Sequence, residues 1–356
     1  MSNSSSPSLI AQYGSDSCPY ELGEPLGEGT FARVYNGTHQ PSGQKVAIKL
    51  VAPSQFNYRE IEIWSGLDHA NIVRLLDVVQ GRTSEQNAES MIYVVSELAD
   101  GGELFSLLQQ HPQGLPTEDA AHLFSQIAQA VDACHRQFQV VHRDIKVENI
   151  LLFRSQDSGF VAKLADFGFS CKIENSGLLT DHCGSPEYAA PELLYSKPYD
   201  GQQADCWALG VVLYTMLSGG LPFAATTPTT SRHLIFDLKK SIASENLVFS
   251  DKVPKTLRRI TTGLLTRDPS RRLTAFKALE MIEGDVELST HNTLQRLNAS
   301  TSTISSNEVP RVLNGHQDNL FSFSGMWQAI RDRVVHSPDQ YKEIKQSDSP
   351  YTSPEL

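Results

Sequence analysis

The sequence predicts an α+β fold in two lobes, a small β-rich lobe carrying one helix followed by a larger α-helical lobe. Three observations predict it. From Tyr20 to about Leu98, short apolar or alternating runs are broken by turn residues, the pattern of short strands. Inside that region, Tyr58 to Leu67 places Ile61, Trp64 and Leu67 at helical spacing. After Gly101-Gly102 the apolar period becomes helical.

Taken in order, residues 1 to 19 are rich in Ser with little apolar content and are expected to form a disordered leader. Turn signals at Gly27 to Gly29 and Pro41-Ser42-Gly43 separate the strand-forming runs Val34-Tyr35 and Val46-Ala47-Ile48, which predicts a small antiparallel sheet. Arg74 to Val79 and Met91 to Ser96 continue that sheet, and the polar stretch Arg82 to Ser90 between them reads as a surface loop. In the second lobe, Leu104, Leu107 and Leu108, then Ala121, Phe124, Ile127, Ala128 and Val131, recur at helical spacing. Its last helix is expected at Ala275 to Ile282. From about Gly284 to Asn319, Ser, Thr and Asn dominate without apolar periodicity, which predicts disorder. Phe323, Trp327, Ile330 and Val334 then fall at 4-3-4 spacing and suggest a short helix over 322–335. The expected division is therefore 20–98, 99–283 and a largely disordered tail, 284–356.

A chain of 356 residues can bury a substantial core in each of two lobes. A net charge of -11 gives no argument for nucleic acid or for an anionic membrane surface, so neither partner is expected. The five cysteines, Cys18, Cys134, Cys171, Cys183 and Cys206, are scattered and form no CxxC pair, which fits a reducing compartment. The longest apolar stretch, Leu209 to Leu217, is far short of a membrane span. Met-Ser-Asn-Ser-Ser-Ser-Pro lacks a basic region followed by an apolar one, so no secretory signal is expected. The expected location is intracellular, cytoplasmic or nuclear.

The chemistry is carried by four motifs. Leu26-Gly27-Glu28-Gly29-Thr30-Phe31-Ala32-Arg33-Val34 is a glycine-rich loop with Ala32 at the third glycine position. Two glycines let backbone approach phosphate oxygens, although a plain tight hairpin has the same composition. A dinucleotide-binding turn runs into a helix, whereas this one runs into Val34-Tyr35, so a nucleotide would lie under a hairpin. In Val46-Ala47-Ile48-Lys49, strand alternation directs Lys49 to the same face as Ala47, where its ammonium can hold phosphates. An ordinary strand lysine is the bland reading. Glu60 on the lone helix is the expected ion-pair partner, with Glu62 in reserve.

His142-Arg143-Asp144-Ile145-Lys146-Val147-Glu148-Asn149 lies between the apolar anchors Val140-Val141 and Ile150-Leu151-Leu152. Phosphoryl transfer to a hydroxyl needs a carboxylate to orient the hydroxyl and accept its proton, a cation near the moving group, and an oxygen ligand for magnesium. Asp144, Lys146 and Asn149 supply those three. Asp166-Phe167-Gly168 follows the apolar run Val161 to Ala165, so the Asp166 carboxylate stands at a strand end where a second metal ligand is wanted. Arg143, beside the expected base, is placed to receive negative charge from the segment that begins at Asp166.

With Ala190-Pro191-Glu192, Asp205-x-Trp207-x-x-Gly210 and Arg272, these motifs resemble the eukaryotic protein kinase family over residues 20 to 283. The resemblance implies the bilobal kinase fold with ATP and Mg2+ between the lobes. It implies that Asn149 and Asp166 hold the metal, that Glu192 pairs with Arg272, and that Asp205 braces the catalytic loop. It also favours Glu60, from its spacing to His69-Ala70-Asn71-Ile72-Val73. The adenine is expected on the backbone of Glu97-Leu98-Ala99, behind which Ser96 is the small residue, and between Val34, Ala47 and Leu151. Lys146 and Gly184-Ser185-Pro186-Glu187-Tyr188 resemble the serine/threonine kinases, where the residue at Ser185 contacts the base and Lys146.

Gly102-Glu103-Leu104-Phe105 and Cys183 to Glu192 resemble the calmodulin-dependent and AMP-activated branch. That likeness implies that Glu103 and Glu148 bind an arginine about three residues before the phosphoacceptor of a protein substrate. In the AMP-activated branch the activating threonine lies two residues before the Cys of Cys-Gly-Ser. That position here is Asp181, and Thr180 precedes it. Either an upstream kinase phosphorylates Thr180 and the phosphate reaches Arg143, or Asp181 supplies a standing charge, or Thr180 is an unmodified loop residue. An inactive kinase-fold scaffold, or an interaction protein whose business lies in the tail around Trp327 and Ser337-Pro338, is the competing reading.

Overall fold

The computed structural model describes residues 18–28, 33–82, 90–155, 159–173, 177–223, 230–244, 246–285 and 288. Outside them lie most of the expected leader, Gly29 to Ala32 of the glycine-rich loop, most of the Arg82 to Ser90 loop, and nearly all of the tail, including its expected helix.

The first lobe is a five-stranded antiparallel sheet of spatial order β1-β2-β3-β5-β4, formed by Tyr20–Glu28, Arg33–His39, Gln44–Val51, Leu75–Arg82 and Ser90–Glu97 as β1 to β5. Alternation works as the sequence predicts: Val46, Ile48 and Leu50 of β3 are buried with Val79, Tyr93 and Val95, while Ala47 and Lys49 are half-buried on the other face. The helix α1 (Tyr58–Ser65) interrupts the strands and buries Ile61, Ile63 and Trp64. Asn57 caps its N-terminus, its Oδ1 accepting from Glu60 N at 3.3 Å.

The second lobe is helical: α2 (Leu104–Gln109), α3 (Thr117–Asp132), then short strands β6 (Val140–Val141), β7 (Ile150–Ser155), β8 (Gly159–Leu164), β9 (Cys171–Lys172) and β10 (Leu178–Leu179). After them come α4 (Pro191–Leu194), β11 (Tyr199–Asp200), α5 (Gly201–Ser218), α6 (Ser231–Ser244), α7 (Lys255–Leu264) and α8 (Ala275–Glu283). Pairs β6–β9, β7–β8 and β10–β11 are two-stranded and carry the loops of interest at their ends. The apolar helix α5 is buried along nearly its whole length, so it is the axis of this lobe. Asp200 caps it through Gln202 N and Gln203 N, and Gly219 ends it in the left-handed conformation.

The loop after α1 joins the lobes. Asn71 donates its side-chain amide to Ala162 O at 3.0 Å, and its carbonyl accepts from Leu164 N at 2.8 Å. Among the described residues, no helix is long and apolar enough to cross a membrane.

Candidate active site

Lys49 reaches its partner because β3 alternation turns it off the sheet core and toward α1. Its Nζ lies 2.9 Å from Glu60 Oε1. Glu62, two residues on, points elsewhere around the helix and meets Lys172 at 3.0 Å on the surface. Burial alone would lower the Lys49 pKa, but Asp166 and then Glu60 outweigh it and hold the ammonium above its ordinary range. Val34 pairs opposite Lys49, and Ala47 opposite Ser96 of β5. Gly27 and Glu28 at the end of β1 pair with Val34 and Arg33, Leu26 is exposed, and a Cβ on Gly27 would meet nothing within 4 Å.

The loop from His142 to Asn149 is hung from α5 by one carboxylate. Asp205 accepts from His142 N and Arg143 N, both at 2.8 Å, and from His135 Nε2 at 2.9 Å. Burial would raise the Asp205 carboxyl, yet His135, then His142, outweigh it and keep it below the usual carboxylate range. This anchorage holds Arg143 at φ +68, a left-handed conformation that non-glycine residues seldom adopt. Asp144 N donates to His142 Nδ1 at 3.3 Å, which leaves Nε2 to carry its proton toward Ala165 O at 3.0 Å.

Asp144 is then surrounded by donors. Its Oδ1 accepts from Ser185 Oγ at 2.8 Å; its Oδ2 accepts from Lys146 Nζ at 2.8 Å and Asn149 Nδ2 at 3.1 Å. Lys146 also donates to Ser185 Oγ at 3.1 Å. The side chains of Asp144 and Lys146 are only 2% and 5% exposed, so water screens this pair little. Asn149 Nδ2 donates also to Asp144 O at 2.8 Å, so its amide oxygen is turned away from Asp144.

The β7–β8 hairpin brings the second carboxylate alongside. Ala165 N donates to Asn149 O at 2.9 Å, which sets Asp166 next to Asn149 in space. Asp166 takes φ +62 and accepts from Gly168 N at 3.3 Å. It is open to solvent although crowded by protein atoms. Burial pushes its carboxyl up, but Lys49, His142, the Gly168 N–H and Lys146 together bring it below the usual range. An ionised carboxylate beside an amide oxygen is the hard donor set that suits Mg2+. Phe167 is fully buried, edge-on to His142 at 4.9 Å and stacked with Trp64 at 6.3 Å.

Around this centre the other expected residues fall as follows. Glu97 spends its carboxylate on Lys163 at 2.7 Å and on Arg74 N at 2.8 Å, and its own N–H on Arg74 O. Leu151 forms a bridge to Glu103 at the start of α2, and Ala99 lies between β5 and α2. Burial, then Glu148, push the Glu103 carboxyl up against the pull of Lys146. Arg272, fully buried, binds Glu192 through two parallel contacts of 2.7 and 2.9 Å. Arg143 donates Nε to Phe169 O at 2.6 Å. Thr180 and Asp181 are exposed; Tyr199 OH donates to Asp181 O at 2.8 Å, and among the described residues no ion pair joins Asp181 to Arg143.

Two residues carry more than the sequence reading assigned them. His142 is a spacer between Phe167, Asp144 N and Ala165 O, which its motif position did not reveal. Glu187 is buried, its Oε2 has no hydrogen-bond partner, and burial first, then Glu148, push its carboxyl up to about 7. The only sequence signal for it was its place in Ser185-Pro186-Glu187-Tyr188, read there as a mark of class.

A family model of the protein kinase domain matches residues 20–282. The chain is 35% identical over 291 residues to the SNF-related serine/threonine-protein kinase of Homo sapiens, covering 80% of this chain and 34% of that protein. The proteins of the same name from Rattus norvegicus and Mus musculus are each 34% identical over 291 residues, covering 80% of this chain and 35% of theirs. The chain thus spans about a third of the length of these relatives, and they agree with the branch that the motifs resemble. A five-stranded lobe with one helix, a helical second lobe and a matched stretch covering most of the sequence make this chain a member of the protein kinase family.

Proposed function

We propose that this chain is a protein serine/threonine kinase that transfers the γ-phosphoryl group of Mg-ATP to serine or threonine hydroxyls of proteins, preferring basic residues upstream of the acceptor. One observation carries the reading: the buried set in which Asp144 accepts from Lys146, Asn149 and Ser185. Asp144 orients the substrate hydroxyl and takes its proton as the new P–O bond forms and the bond to the β-phosphate oxygen breaks. Lys146 stabilises charge on the group in transit. Asn149 and Asp166 would hold the magnesium, which supplies positive charge at the phosphates when bound. Lys49, positioned by Glu60, steadies the α- and β-phosphates, with Gly27 and Val34, paired on β1 and β2, at the described ends of the glycine-rich loop. The backbone of Glu97 to Ala99 takes the adenine between Val34, Ala47 and Leu151.

The preference for basic substrates rests on Glu103, Glu148 and Glu187. Burial first, then the charge of Glu148, pushes the carboxyls of Glu103 and Glu187 up, which marks a region of negative potential that a substrate arginine would relieve. An upstream kinase acting on Thr180, with Arg143 as phosphate receptor, is the regulation this reading favours; Asp181 as a standing charge is the alternative.

Phosphorylation of a degenerate serine/threonine peptide library with Mg-ATP tests the activity, with Asp144→Asn as control. Transfer by the wild-type chain and its loss in the variant are expected; equal transfer by both overturns the assignment. In the same library, selection of proline-directed or acidic peptides refutes the basic preference.

A further inference from the structure

We infer that Asn57 is a positioning residue for the catalytic site, the small-lobe half of a clamp on the Asp166-Phe167-Gly168 turn. The inference rests on the proposed kinase reading for its effect on rate, but its structural content does not.

Asn57 uses both ends of its amide. Oδ1 caps α1 by accepting from Glu60 N at 3.3 Å, and Nδ2 donates to Gly168 O at 3.2 Å. The next carbonyl, Phe169 O, accepts from Arg143 Nε at 2.6 Å. Two successive carbonyls after Asp166 are therefore held from opposite sides, one from the helix of the small lobe and one from the loop that carries Asp144. Glu60 extends the contacts to Lys49. It binds Lys49 at 2.9 Å, and its second oxygen would lie 3.6 Å from a Cβ added at Gly168. A chain of contacts thus runs from Lys49 to Glu60, along one turn of α1 to Asn57, and on to Gly168, while the charge of Asp166 acts on Lys49.

Capping alone does not call for an amide here. Aspartate caps a helix at least as well, and its charge suits the N-terminal dipole better. Only the amide can also donate an N–H to a carbonyl. Other links between α1 and this stretch include the Trp64–Phe167 stack and the exposed Glu62–Lys172 pair, and the latter is weakened by salt. Neither fixes the direction of the Gly168 peptide plane, which follows Asp166 at φ +62.

Asn57→Asp keeps the cap and removes the donor; Asn57→Ser keeps the cap without adding charge and replaces the separate Nδ2 donor with a single, shorter hydroxyl already used by the cap. The full chain of each is examined by hydrogen–deuterium exchange, by thermal melting and by peptide phosphorylation. In both variants, exchange across 166–170 is expected to rise about twofold to tenfold, as loss of one modest hydrogen bond allows, while 58–65 and the melting temperature stay as in wild type. kcat should fall by a similar factor with KM for peptide unchanged. Wild-type exchange at 166–170 in Asn57→Asp overturns the inference, as does loosening of 58–65 together with a lower melting temperature in both variants. A wild-type chain that transfers no phosphate counts against the proposed function alone, because the exchange comparison still decides the clamp.

Discussion

Ser185→Ala removes one oxygen from the polar set around Asp144. Two bonds end on that oxygen: it donates to Asp144 Oδ1 at 2.8 Å and accepts from Lys146 Nζ at 3.1 Å. Each involves an ionised partner in a buried place, where such bonds contribute about 1.5–3 kcal/mol. A cavity of about 20 Å³ lined by Ser185, Asp144, Arg143 and Asp205 adjoins the site. It has room for one water, which offsets part of the loss. The net is about 1.5–3 kcal/mol against the charge arrangement needed for transfer, or roughly a tenfold to hundredfold fall in kcat. KM for ATP should stay near wild type, because Lys49, Glu60 and Asp166 take no hydrogen bond from Ser185. Ser185→Thr retains the hydroxyl and should recover most of the rate. Steady-state phosphorylation of a basic peptide measures all three. A kcat for Ser185→Ala within twofold of wild type, or a Thr variant as slow as the Ala variant, would refute the assigned role.

Three further outcomes are expected. Glu187, at about 7 against an ordinary 4.5, binds more protons folded than unfolded between those values, so it subtracts stability as pH rises through that window. Glu187→Gln should flatten the melting temperature between pH 5 and pH 8 and abolish a fall in KM for basic peptides over the same rise; an unaltered profile removes the reading. Arg272→Met strands Glu192 and the carbonyls of Gln203 and Thr266, which now bind the guanidinium at 2.7 and 2.9 Å. Loss of about 3–5 kcal/mol by urea unfolding is expected, and a change below ~1 kcal/mol would show the pair to be dispensable. Thr180→Ala should lower activity, and phosphatase should lower wild type to the same level; activity unchanged by either removes regulation through Thr180.

Much of this site was legible in the sequence because its chemistry is local. Asp144, Lys146 and Asn149 lie within six residues, and the backbone turn that joins them also brings their side chains together. Fold class was legible for a similar reason: alternation in Val46-Ala47-Ile48-Lys49 and helical spacing in Ala121 to Val131 are set by backbone geometry, whatever packs against them. The choice between Glu60 and Glu62 was legible only as a preference, since helix phase relative to β3 is a matter of packing.

What the tertiary structure alone decided concerns groups distant in sequence. Asp205 reaches back across 62 and 63 residues to two backbone N–H groups, and Asn57 reaches across 111 to Gly168. Oε2 of Glu187 is buried without a hydrogen-bond partner, and Glu148, from the distant catalytic loop, helps push its carboxyl up. By itself, then, the sequence determined which groups are available for the proposed phosphoryl transfer and on which kind of element each stands. Their distances, their protonation and the direction of the Gly168 carbonyl came from the packing of two lobes, because burial and like-charge proximity are properties of surroundings that a linear order does not contain.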